Sequence, residues 1–221
     1  MTSPATPPPA APAASGTTRL VLLRHGETEL TAQKRFSGSG GPDPALSEKG
    51  RWQAERAADA LAARAVPVHA VVTSPLARCR QTAQVAADRF GLVPEVEEDL
   101  RETDFGAWEG LTFAEARDRD PAALDAWLDS SDVPPPGGES FADVTRRVSG
   151  AQDRLRTRFA GHTVLVVSHV TPIKTLLRLA LAAPPDALFR MDLAPASLSA
   201  VSLYDDENAG VAYLNDTGHL R

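Results

Sequence analysis

The chain has one cysteine, Cys79, so no intrachain disulfide can form, and a reducing compartment is compatible with that. It has no apolar run near the roughly 20 residues that a membrane-spanning helix needs. Basic charge is in short supply as well: 23 Lys and Arg stand against 29 Asp and Glu, a net charge of −6. That balance argues against nonspecific binding to nucleic acid or to an anionic membrane, and no basic stripe or stacking platform offsets it. No internal repeat, glycine-rich P-loop, GxGxxG or CxxC is present. His69, His162 and His219 have no metal-ligand spacing with one another, so they read as structural or exposed, and neither a metal nor a cofactor is implied. What remains is a 221-residue chain with 43% hydrophobic residues, enough for one sizeable core. Its expected place is the cytoplasm, with no membrane partner.

Residues 1–18 hold Pro4, Pro7, Pro8, Pro9 and Pro12 among Ala, Ser and Thr. Such a segment offers little to bury and reads as an extended leader or linker, not as a signal peptide. The domain proper is expected over residues 19–221.

Leu20-Val21-Leu22-Leu23 reads as a buried strand that stops in Arg24-His25-Gly26. Ligands of open α/β sheets bind beyond the carboxyl ends of the strands. Gly26 allows the close backbone approach that leaves His25 facing a bound group, and Arg24 beside it suits an anion. The polar, glycine-rich stretch from Thr28 to Pro44 either lines a pocket mouth with Arg35, Ser37 and Ser39 or simply connects. Ser47 predicts a helix cap, with the helix running to about Arg64. Ala70–Thr73 predicts a second strand, after which Ser74 is expected to cap a helix with Pro75 at its first position. Arg78 then falls in the first helical turn, where free amides already favour an anion. Arg80 points elsewhere, and Cys79 reads as a small packing residue.

Downstream, Glu102 and Asp104 lie among aromatics and glycines. A carboxyl held against apolar surface beside a phosphate dianion keeps its proton to higher pH, which suits a general acid. Thr112–Ser131 reads as helix broken at Pro121, with Trp127 and Leu128 as packing residues. Glu139-Ser140 opens a long helix whose several arginines read as a solvated face. Thr163–Val167 is a third buried strand ending in Ser168-His169, followed by a helix over Thr171–Leu181. Ala196–Tyr204 and Val211–Leu214 predict a hairpin closing one edge of the sheet. Three apolar strands thus end in Arg or His, and in a parallel sheet Arg24, His25, Arg78 and His169 converge on one crevice.

These motifs (Arg24-His25-Gly26-Glu27-Thr28, Ser74-Pro75-Leu76-Ala77-Arg78 through Ala83, Leu100-Arg101-Glu102 through Phe105-Gly106, and Ser168-His169) resemble the histidine phosphatase (phosphoglycerate mutase-like) superfamily. The resemblance implies a three-layer α/β/α sandwich with a mostly parallel central sheet. It implies His25 as a nucleophile that forms a phosphohistidine, with Arg24, Arg78 and His169 holding the phosphoryl oxygens and Glu102 as the acid. It carries substrate contacts to Thr28, Thr31, Arg35, Ser37, Gly38 and Val170. Many relatives have asparagine at the position of Thr31, and often glutamine or threonine at that of Ser37. The run from Glu102 to Gly110 and Pro136–Ser140 are similar to the α-ribazole phosphatase branch, whose domains also occur behind a ribonuclease H domain. The expected activity is hydrolysis of small phosphomonoesters, either α-ribazole phosphate or a broad range. A cofactor-dependent phosphoglycerate mutase and a non-catalytic phospho-ligand sensor are the alternatives. The expected partner is a small phosphorylated substrate, a homodimer being compatible with the resemblance.

Overall fold

The computed structural model describes residues 16–64, 67–206 and 208–221. Most of the proline-rich leader lies outside the described residues. β1 (Thr18–Arg24) buries Leu20–Leu23 on both of its faces, which accounts for its unbroken apolar run: a strand covered on both sides has no polar face to show. Every residue of β2 (Ala70–Thr73) and of β4 (Thr163–Ser168) is likewise buried. With β3 (Pro94–Val96), β5 (Leu198–Leu203) and β6 (Ala209–Asp216) they form one sheet in the order β3-β2-β4-β1-β5-β6. β3, β2, β4 and β1 run parallel, β5 runs antiparallel to β1, and the β5–β6 hairpin closes that edge.

The helices are α1 (Glu29–Ala32), α2 (Glu48–Ala63), α3 (Ala77–Phe90), α4 (Phe113–Arg119), α5 (Pro121–Asp129), α6 (Phe141–Arg158) and α7 (Val170–Ala180). On one face of the sheet, α2 and α3 bring Ala57, Ala58, Leu61, Ala83, Ala86 and Ala87 against Val21, Leu23, Val71 and Val167. On the other, α6 and α7 pack Val144, Val148, Leu155, Ile173 and Leu176 against Leu20, Leu22, Val72, Val164 and Val166. The result is the three-layer α/β sandwich that the motifs imply. Ser47 caps α2 as expected, and Ser140, where the long helix is expected to start, caps α6, each accepting the backbone N–H three residues on.

One expected cap is not used. α3 begins at Ala77, not at Pro75, and its first amide donates to both carboxylate oxygens of Asp43, at 3.0 and 2.8 Å. A carboxylate outcompetes a neutral hydroxyl at a helix N-terminus, where the dipole favours negative charge. Ser74 Oγ keeps one bond to this turn, accepting from Leu76 N at 3.3 Å, and also meets a partner outside it.

The loop after β1 lies directly on the first turn of α2. A Cβ on Gly26 would stand 2.3 Å from the Gly50 carbonyl oxygen, and one on Gly50 would stand 2.0 Å from that of Glu27. Only glycine fits at both places. Gly150, inside α6, meets nothing closer than the far end of Arg154 at 3.3 Å. Gly50→Ala should therefore destabilise the fold by ~1–3 kcal/mol or more, whereas Gly150→Ala should stabilise it by ~0.5–1 kcal/mol. Urea midpoints at constant slope measure both, and a Gly50→Ala variant with the parent midpoint would refute the close approach.

Candidate active site

β2, β4 and β1 are neighbours, and their ends are flush: Arg24 pairs with Ser168 and Thr73 with Val167. Their carboxyl ends open on a cavity of about 630 Å³. Arg24, His25, Glu102, Thr31, Arg35, Ser37 and Val170 all line it. Arg78 and His169 are fully buried next to His25, whose ring centroid is 5.1 Å from that of His169. Thr28 and Gly38 are not lining residues. Thr28 is buried and caps α1, and the Gly38 carbonyl accepts from Arg78. Of the four groups expected at one crevice, Arg24 and His25 line it, while Arg78 and His169 lie buried behind them.

His25 Nδ1 lies 2.7 Å from the carbonyl oxygen of Gly26. A carbonyl only accepts, so Nδ1 carries the proton and Nε2 keeps its lone pair for the cavity. Burial lowers the His25 pKa well below its usual value, and the nearby Arg78 and Arg24 guanidinium groups lower it further. Gly26 N–H donates to Thr82 Oγ1, which itself donates to the Arg78 carbonyl, so the β1 loop and α3 are tied together under the ring. His169 shares a 2.7 Å hydrogen bond with Ser74 Oγ, which also accepts from Leu76 N. Its pKa is also well below the usual range, through burial first and then Arg78 and His25. Burial pushes the neighbouring Cys79 thiol up, so that it stays protonated and inert.

The two guanidinium groups are held by backbone carbonyls. Arg24 donates to Leu193 O, and Arg78 Nη2 donates to Ser37 O at 2.8 Å. Asp43 lies 3.4 Å from Arg78. Burial pushes Arg24 down to about 10, which leaves it charged at neutral pH. Arg24 Nε, Arg78 Nε and Ser37 Oγ are buried with no hydrogen-bond partner. Buried donors normally find acceptors; those of Arg24 and Ser37 belong to residues that line the cavity, where an anion could supply one.

Glu102 is also buried. Its carboxylate accepts from Thr103 N at 2.9 Å and from Thr171 N at 3.3 Å, which fixes it at the N-terminus of α7. Val170 N, one residue earlier, is among the amides that a helix start leaves without an intrahelical acceptor. Asp104 instead accepts from Gly106 N within its own turn.

The arginines of α6 are not all a solvated face. Arg147 is buried, forks onto Glu139 at 2.8 and 2.9 Å, and donates to the carbonyls of Asp99, Arg101 and Glu102. It holds the stretch that carries Glu102. Arg35 lines the mouth, but its guanidinium is engaged with Glu115 and the Gly110 carbonyl, each at 2.7 Å.

Sequence reasoning missed two parts of the cavity. One is an apolar wall of Phe36, Phe105, Trp127, Phe141, Leu188 and Phe189, of which Trp127 stood out only as a packing residue and Phe105 only within a motif. The other is Lys174, which shares a face of α7 with Val170 and Thr171 at spacings of four and three residues; that spacing could have found it.

Residues 20–217 match the histidine phosphatase superfamily, branch 1. A bifunctional protein of Mycobacterium tuberculosis is 53% identical over 203 residues, covering 92% of this chain and 55% of that one. The chain thus spans about half the length of such relatives. Phosphoserine phosphatase 1 of Hydrogenobacter thermophilus is 32% identical over 203 residues, covering 91% of this chain and 94% of that one. The solved structure of a mycobacterial glucosyl-3-phosphoglycerate phosphatase superposes with a TM-score of 0.79 at 31% identity, covering 91% of this chain and all of that one.

Above about pH 6.5 His25 and His169 are neutral in both the folded and unfolded chain. Below it the unfolded chain takes up protons that the folded one refuses, so stability falls as pH falls. His25→Asn removes one such group. Between about pH 6.5 and about pH 5.5 its stability should fall less than the parent's, by up to ~1.4 kcal/mol. Parallel loss in the two proteins, read by urea unfolding, would mean that the ring is not kept neutral.

Proposed function

The chain belongs to the histidine phosphatase superfamily, and we propose that it is a phosphatase domain that hydrolyses small phosphorylated metabolites by passing the phosphoryl group through His25. The reading rests above all on the His25 lone pair facing a cavity lined by Glu102, Arg24 and Ser37, in which Arg24 Nε and Ser37 Oγ have no hydrogen-bond partner. Nε2 attacks phosphorus, the ester P–O bond breaks, and the leaving oxygen takes a proton from Glu102. In the second step Glu102, now a carboxylate, accepts a proton from water, whose oxygen displaces His25 and releases orthophosphate. Arg24 and Arg78 supply the fixed positive charge that phosphoryl transfer chiefly needs, with neutral His169 packed beside His25. The amides at the start of α7 add to these.

The apolar wall supports leaving groups with a flat or apolar portion, α-ribazole phosphate among them. The cavity is roomy enough to support a broad range of small phosphomonoesters.

His25→Ala should lower phosphate release by at least ~10⁴-fold while keeping a cooperative melt; retained turnover would overturn the nucleophile. Glu102→Gln should slow alkyl phosphates ~10²-fold or more but an activated aryl phosphate far less, because a good leaving group needs no proton. Equal slowing of both would remove Glu102 from the acid role.

A further inference from the structure

The leaving-group side of the cavity holds one feature that phosphoryl transfer does not use. Lys174 lines it, is only partly exposed, and makes no ion pair or hydrogen bond among the described residues. The other charged groups lining the cavity are accounted for: Glu27 pairs with Lys49, Arg35 with Glu115, Glu102 is fixed at α7, Arg24 belongs to the phosphoryl site, and Lys34 is exposed at the rim. An ammonium group half out of water with no partner carries a desolvation cost, and burial accordingly lowers the Lys174 pKa, against the opposing pull of Asp192 and Glu102. It remains a lysine whose three donors are free for an acceptor from outside.

Its position on α7 narrows what that acceptor is. Val170 and Thr171 lie at the helix start, beside the phosphoryl site, and Lys174 stands one turn further along the same face, about 5 Å of axial rise away. A cation so placed sits past the scissile oxygen, on the part of the ligand that leaves. We propose that Lys174 is a specificity residue that binds a second anionic group, a carboxylate or a further phosphate, carried by the leaving group. The proposal rests on the phosphatase reading and names the class of substrate within it: phosphomonoesters that are dianionic at one end and carry another negative charge a few bonds away. The aromatic wall beside Lys174 covers the remainder of such a molecule, and its low polarity strengthens the ion contact.

The test uses pairs of phosphomonoesters that differ only in the second anion: O-phosphoserine against O-phosphoethanolamine, and 3-phosphoglycerate against glycerol 3-phosphate. The readout is the ratio of kcat/KM within each pair, in which any general loss of activity cancels. The parent enzyme should favour the acidic member at least ~10-fold, as expected of a charge-assisted contact. Lys174→Met should bring the ratio to about one, and Lys174→Arg should restore most of it. The same ratios are read as Kd values by calorimetry in the His25→Ala background, alone and combined with Lys174→Met, where no turnover is needed. A parent ratio near one, or a ratio that Lys174→Met leaves unchanged, overturns the proposal: Lys174 would then serve Glu102 or the phosphoryl group alike in every substrate. Absence of turnover in the parent with the binding ratios intact would instead overturn the phosphatase reading and leave the anion subsite standing.

Discussion

Everything in the site is set by the parallel pairing of β1 with β4, which ends with Arg24 opposite Ser168. The next residue on each strand is a histidine, so the two imidazoles come to lie 5.1 Å apart between centroids without any loop having to find its way there. A slip of one residue would turn Leu20 and Leu22 to the other face of the sheet and break both cores at once. The register is therefore protected by the whole hydrophobic interior. Chemical groups placed at the ends of such strands inherit the rigidity of the sheet.

That rigidity is used to hold an arrangement that costs free energy. Two guanidinium groups are buried, held by neutral carbonyls and one distant carboxylate, and three donors have no acceptor. Buried charge with so little compensation is among the more expensive features a fold can carry. The two buried imidazoles, kept neutral first by burial and then by the arginines, do not add to it. The cores on both faces of the sheet supply the stability against which this strain is held, and an arriving phosphoryl dianion relieves it.

The fold was largely legible because its signals are local: Leu20–Leu23 and Thr163–Val167 are apolar runs, and Ser47 and Ser140 are helix caps with a backbone partner three residues on. The four strand-end groups were legible because topology alone brings them together. What was not legible depended on distant partners. Ser74 accepts the Leu76 amide as a cap would, but the helix starts two residues later than expected, where Asp43, over thirty residues earlier, takes the Ala77 amide. Arg147 is indistinguishable in sequence from its exposed neighbour Arg146, and only the folding of the 99–102 stretch across α6 makes it a clamp. The apolar wall is drawn from segments near residues 36, 105, 127, 141 and 188, none of which reads as a ligand surface alone.

The wall and the reacting groups have different origins in the chain. His25, Arg24, Arg78 and His169 sit at strand ends or just beyond them, while Phe105 and Phe141 bracket an excursion that contains α4, α5 and Trp127 and contributes no strand to the sheet. Residues of that excursion can be exchanged, lengthened or shortened without moving β1 against β4. Much of the apolar wall thus hangs on a segment that the sheet does not need, so that its shape can change with little effect on the strand ends that carry His25 and Arg24.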